Sequence, residues 1–385
     1  MGSLLTLPSP HIDLVSGLLD STSYNVYERM ALSSCPCLGE DLQATLPPCL
    51  PVNTEGRNRK EVFAFSPSKV DKWRHYDWDQ VTTIAWDEDK RLVCHAHKKG
   101  VKIVVTLGFD NFDKICDHET RQVWIRRVYE KIVTNYADGF NFDIEKPSSG
   151  AKSHCYVLLV KELRHVLKQS EYTKNAQITV DVPWAPHGID GRYYDWNALA
   201  EAADFLFVMS YDMRSQIYYQ CIASANSPLA LVRKGLEEYL LGYNIAPDKL
   251  VLGLPWYAYD YKCQNYSAAL DICQIEQVPF AGAPCSDAAG KQRNYEVIRA
   301  RAAADPAHYV RRWDNISHTP YYTYTNFEMN ETGQIWFEDP DSLSAKYALV
   351  REFGLRGGGM WHADGLSYGK DDESKKMWDS FKAMY

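Results

Sequence analysis

The chain is predicted to fold as an α/β structure, a (β/α)8 TIM barrel, and three observations carry that expectation. Eight short apolar runs recur along it, amphipathic stretches of helical period lie between them, and 385 residues suit one barrel of about 250 residues with additions. A doubly wound open sheet is the structural alternative.

The predicted strands are EVFAFS (61–66), VTTIAW (81–86), VKIVVTLG (101–108), a run at 138–145, QITVDVPW (177–184), DFLFVMSYD (204–212), LVLGLPWY (250–257) and RGGGMW (356–361). Helical patterns fall at 121–136, 155–167, 229–241 and 342–353. Between the seventh and eighth strands, about 258–338 reads as a loop-rich insertion, expected to wall the cleft because loops at that face of a barrel carry specificity. Residues 35–60 read as a Cys/Pro-rich cap and 61–385 as the catalytic barrel. Residues 1–34 lack a basic start and a continuous apolar run, so they make a poor signal peptide. They are expected to be absent from a mature protein that begins near Cys35, and N-terminal sequencing of the native protein that found Gly2 would refute this.

Charge and composition narrow the function. With 50 acidic against 42 basic residues, a net charge of -8 and no basic tract, nucleic acid is excluded as a natural partner. No apolar run suggests a membrane span. The ten cysteines are scattered without paired C-x-x-C sets, so disulfides in an oxidising compartment are expected rather than a metal site, with the pairing left open. Sequons at Asn265, Asn315 and Asn330 would accept N-glycans on a secretory route. Aromatic residues form 13% of the chain, which suits a dense core and equally a sugar cleft, where pyranose faces stack on rings.

The chemistry is concentrated in Ala137 to Pro147, ADGFNFDIEKP. Phe140, Phe142 and Ile144 alternate with Gly139, Asn141, Asp143 and Glu145, so Asn141 and the two carboxyls share one face of a strand. Neighbouring carboxyls in a poorly solvated site cannot both ionise easily; one keeps its proton and can serve as an acid.

The run Asp138 to Glu145 resembles the D-G-x-D-x-D-x-E signature of the family 18 glycoside hydrolases, the chitinases and their relatives. The resemblance covers roughly Cys35 to the C-terminus and implies hydrolysis with retention, assisted by the substrate's own acetamido group. It makes Glu145 the acid/base, Asp143 the group that orients the acetamido N–H, and Tyr211, in Met209-Ser210-Tyr211-Asp212, the holder of its carbonyl. Asp138, Asn141, Asp212 and Trp361 are counted with the substrate-binding residues. Trp86, Trp184 and Trp256, each at the end of a predicted strand, are expected to ring the carboxylates together with Trp361. No metal or organic cofactor is implied; the partner is an oligosaccharide containing GlcNAc, and such barrels are commonly monomers.

Three positions depart from the family pattern. Asn141 stands where chitinases carry Asp; an amide cannot share a proton with Asp143, so Asp143 is expected to ionise more easily. Met360 and Trp361 adjoin, so they are expected to face opposite ways. Thr106-Leu107-Gly108-Phe109-Asp110 replaces S-x-G-G, and Phe109 is expected to narrow the cleft. Together with Cys35-Pro-Cys37 and the lack of a separate chitin-binding module, these details resemble a lysosomal member of the family. That implies cleavage of the β-1,4 bond in the chitobiose core of free N-glycan oligosaccharides, releasing reducing-end GlcNAc. An endochitinase and a chitinase-like lectin are the alternatives; such lectins usually lack the acid, and Glu145 is present.

Overall fold

The computed structural model describes residues 35–39, 49–54, 58–68, 70–86, 89–326, 331–369 and 372–385. The expectation for 1–34 falls outside them, as do 40–48 and 55–57 of the predicted cap and Asn330 of the third sequon. Seven barrel strands come first: β1 (Glu61–Ser66), β2 (Thr83–Trp86), β3 (Lys102–Thr106), β4 (Gly139–Phe142), β5 (Gln177–Pro183), β6 (Phe205–Met209) and β7 (Leu250–Pro255). An insertion contributes β8 (Tyr257–Lys262), β9 (Asn265–Ser267), β10 (Ile272–Gln274), β11 (Gly290–Asn294), β12 (Arg312–Asp314), β13 (Thr319–Asn326) and β14 (Glu331–Trp336). The eighth barrel strand, β15 (Gly357–Trp361), pairs in parallel with β7 on one side and β1 on the other and closes the predicted barrel.

Helices cover the outside: α1 (Lys90–Lys98), α2 (His118–Thr134), α3 (Ala151–Leu167), α4 (Trp196–Ala202), α5 (Leu229–Glu237), α6 (Tyr295–Ala304) in the insertion, α7 (Pro340–Glu352) and α8 (Glu373–Asp379). Their starts are chemically marked. Asp89, Asp117 and Asp195 each accept a backbone N–H of the first turn, and Asp339 forms a capping box with Ser342 ahead of Pro340.

Alternation along each strand sorts the core into two layers. Phe140 and Phe142 point outward and meet Trp124 of α2 with ring centroids 5.4 and 5.6 Å away, while Asn141 between them points inward and is fully buried. The inner layer is aromatic, built by Phe63, Phe65, Phe205 and Phe207. Phe207 fills space that Gly253 and Gly359 leave open: a Cβ on either would come within 2.3 or 2.6 Å of its ring.

The insertion differs from the loop-rich segment the sequence predicts. It holds a five-stranded antiparallel sheet in the order β11-β8-β14-β13-β12, packed with α6. Its strands are rich in Tyr and Thr with polar residues interspersed, so they lack the continuous apolar runs that mark the barrel strands. Tyr321 and Trp336 stack across β13 and β14 at 4.3 Å. Asn265 opens β9 and Asn315 lies in the turn before β13, both exposed.

All ten cysteines pair, as Cys35–Cys49, Cys37–Cys94, Cys116–Cys155, Cys221–Cys285 and Cys263–Cys273. That matches the expectation of disulfides and fits an oxidising compartment. No helix among the described residues is long and apolar enough to cross a membrane.

A buried ion pair locks the end of the insertion to the barrel. Lys346 of α7 reaches Glu338, just past β14, and donates to the Thr319 hydroxyl of β13 at 3.0 Å. Burial pushes Glu338 up and Lys346 down, each towards its neutral form, and their mutual attraction opposes this. Lys346→Met, which strands Glu338, is expected to cost about 3–5 kcal/mol in urea unfolding, and adding Glu338→Leu to recover most of it.

Candidate active site

The chain leaves the barrel wall after Phe142, and Asp143 and Glu145 continue on the inward side that Asn141 occupies one step deeper. Asp143 opens on the cleft yet is closely ringed by protein, and its carboxyl is hydrogen-bonded to that of Glu145. Poor solvation, then the charge of Glu145, raise Asp143 to about 6 in spite of the nearby Arg192 guanidinium. Asp143 is thus held above the ordinary carboxylate range with an amide, not a carboxyl, at position 141. Burial and Glu145, opposed by Arg192, decide the balance at Asp143, and Asp143 in turn raises Asp181 on β5.

Glu145 is about half exposed and accepts a hydrogen bond of 2.7 Å from Nη1 of the buried Arg192, whose Nη2 donates to Asp190 at 2.9 Å. The loop after β5 carries Arg192 and is tied to the loop after β4. Ser148 N–H donates to the Gly191 carbonyl at 3.0 Å, and Tyr193 N–H to the Ser148 carbonyl at 2.7 Å. The Tyr194 hydroxyl reaches the carbonyl of Ile144 at 3.0 Å and that of Lys146, holding the backbone on either side of Glu145. A single Arg inside GRYYD gives no sequence signal for this role; only the fold brings it to Glu145.

From β6, Tyr211 enters the same space. It is buried, and its hydroxyl is pushed well above the ordinary range by burial first and then by Asp181, Glu145 and Asp143, so it stays a donor. Asp212 turns into the left-handed region at φ 49°, its N–H donating to Asn226 Oδ1 at 2.6 Å. Its carboxyl accepts from the hydroxyls of Tyr257 and, at 3.0 Å, Tyr259. Burial raises Asp212 all the same, and Asp287 of the insertion is raised to about 7 by burial and by Asp212. The insertion thus reaches the site through Tyr257, Tyr259 and Asp287, none of which the sequence singles out.

Trp361 faces the inner layer with its ring 5.1 Å from Phe65, whereas Met360 is fully buried in the outer layer, so the two do face opposite ways. Other expected residues lie elsewhere. Trp184 and Trp256 sit one residue out of phase with the inward positions. Trp256 is fully buried against Trp378 at 5.3 Å, and Trp184 lies against Gly235 of α5. Trp86 ends β2, and its side chain lies outside the described residues. Asp138 is at the opposite end of β4 from Glu145, where its carboxyl accepts from the N–H groups of Val52 and Ile103 at 2.6 and 2.7 Å and contacts His97 at 2.9 Å. Asn141 is sealed inside the barrel between Thr179 and Asp181, so it is no substrate contact. Phe109 packs outward on Trp124 at 5.6 Å and does not narrow the cleft.

The pattern described as Glycosyl hydrolases family 18 matches residues 59–365. The di-N-acetylchitobiase of Mus musculus is 39% identical over 362 residues, covering 92% of this chain and 94% of its own length. That of Homo sapiens is 37% identical over 358 residues, covering 91% and 89%. A crystal structure of class V chitinase from Nicotiana tobaccum superposes with a TM-score of 0.67 at 15% identity, covering 85% of this chain and 100% of the other, which is a likeness of fold.

The raised Asp143 has a measurable consequence. Between the ordinary Asp value, about 4, and about 6, the folded protein holds a proton that the unfolded chain has released. Stability therefore falls as pH rises through that window. Asp143→Asn is expected to gain thermal stability relative to the wild type at pH 7 but not at pH 4; a difference that does not change with pH would refute this.

Proposed function

This chain belongs to glycosyl hydrolases family 18, and from that premise we propose that it cleaves the β-1,4 bond between two GlcNAc residues at the reducing end of free oligosaccharides. The product is reducing-end GlcNAc, and the compartment is the lysosomal lumen. The observation that carries the reading is the pairing of Glu145 with Asp143 at the mouth of the barrel, with the Tyr211 hydroxyl close enough to feel both charges. Relatives matched over nearly their whole length and named for action on di-N-acetylchitobiose support the substrate, and five disulfides support a luminal route.

In the proposed reaction the substrate's acetamido carbonyl oxygen attacks C1 while Glu145 gives its proton to the leaving oxygen. The C–O bond breaks and an oxazolinium forms. Asp143 accepts a hydrogen bond from the acetamido N–H and offsets the charge that develops there. Tyr211, kept protonated by its surroundings, donates to the acetamido carbonyl. Glu145 then takes a proton from water, which adds to C1 and restores the ring configuration. Trp361 offers an apolar face beneath the sugar. Glycans at Asn265 and Asn315 would sit on the insertion, away from this chemistry in sequence.

Chitotriose labelled at its reducing end tests the proposal. Labelled GlcNAc is expected to appear at acidic pH, and to be lost when the reducing end is chemically blocked. Glu145→Gln is expected to lower turnover by at least about a hundredfold with binding retained. Cleavage of blocked substrate or polymer would point to an endochitinase instead, and binding without product to a lectin.

A further inference from the structure

Beside the catalytic pair, on the neighbouring strand, lies a third carboxyl that the family signature does not contain. Asp181 is inward on β5 and 2% exposed. Asn141 donates from Nδ2 to its Oδ2 at 2.7 Å, and Thr179 donates its hydroxyl to Asn141 Oδ1 at 2.5 Å. The chain of contacts Thr179, Asn141, Asp181 is thus ordered, each group having one role. It ends on an atom with none: Asp181 Oδ1 is buried and has no hydrogen-bond partner. A sealed carboxyl oxygen left unpaired is costly unless another group meets it during function.

Register identifies that group. β4 and β5 are parallel with Asn141 opposite Thr179 and Phe142 opposite Val180, so one further step sets Asp143 abreast of Asp181. Both project inward, on strands about 4.8 Å apart. We propose that Asp181 is a positioning residue that acts through Asp143: it supplies, from the neighbouring strand, the carboxyl with which Asp143 exchanges a proton, while Asn141 serves as its fixed donor. The acid that Asn141 lacks has moved across one strand.

The two carboxyls share one proton; in the step proposed, the O–H bond on Asp143 breaks and one forms on the ionised Asp181 at Oδ1, with no change in net charge. Asp143 is left ionised when positive charge builds at C1 and the acetamido nitrogen, and the proton returns when the intermediate is hydrolysed. The other ionisable groups facing the pair are Glu145, Arg192 and, from β6 and α3, Tyr211 and Tyr156. Burial and the charge of Asp143 raise Asp181 well above the ordinary range, which suits a group that stores a proton. This inference rests on the proposed hydrolysis, and the controls separate the two.

The test measures kcat and KM across pH with labelled chitotriose for three proteins besides the wild type: Glu145→Gln, Asp181→Asn, and the exchange Asn141→Asp with Asp181→Asn. Inactive wild type, or full activity in Glu145→Gln, would overturn the proposed reaction itself. With that reaction in place, Asp181→Asn is expected to lower kcat about tenfold or more with KM changed by less than about threefold, and to displace one limb of the pH profile. The exchange, which returns a carboxyl to Asp143's own strand, is expected to recover most of kcat. Wild-type kcat and pH profile in Asp181→Asn would overturn the role. Should Asp181→Asn fail to fold, the exchange decides alone, and a folded exchange variant without activity overturns the proposal.

Discussion

The mouth of this barrel must accommodate more negative charge than poor solvation permits. Asp143, Glu145, Asp181, Asp212 and Asp287 form a continuous series of neighbours, and each of Asp143, Asp181, Asp212 and Asp287 is raised chiefly by burial. Much of the surrounding structure answers that constraint. Arg192 is buried at the cost of its own desolvation and set against Glu145 and Asp190. Tyr257 and Tyr259 bring hydroxyls to Asp212, and Asn141 brings an amide to Asp181.

The insertion is part of the same solution. β8 begins at Tyr257, with only Trp256 between it and the end of β7, so its first tyrosines reach the barrel mouth without a loop. The buried Lys346–Glu338 pair fixes the far end of the sheet, where the chain returns to α7. Both ends of the insertion are thus tied to the barrel, and the Cys221–Cys285 bridge joins it to the segment that follows β6.

How much of this the sequence displays follows from the range of the forces involved. The eight barrel strands are legible because burial on both faces demands near-continuous apolar runs, a local property. Glu145, Asp143 and Tyr211 are legible as short motifs at strand ends. Alternation was sufficient to set Met360 and Trp361 on opposite faces, and the same rule places Trp184 and Trp256 in the outer layer; proximity to a strand's end does not tell which way a ring points. Arg192, Asp181 and Asp287 have no local signal, since their meaning lies in contacts across 47 positions to Glu145, 40 to Asn141 and a separate sheet.

Asn141 is instructive because a motif comparison alone sees it as a loss. An amide at that point leaves Asp143 with one fewer acidic neighbour on its own strand, yet the strand beside it carries Asp181 level with Asp143, and Asp143 remains raised. In a parallel barrel, side chains of adjacent strands are as close as those two apart on one strand, so a carboxyl can move sideways without leaving the layer. In this chain the acid level with Asp143 is Asp181 on the neighbouring strand, held by the amide of Asn141, and a signature written along one strand cannot record it.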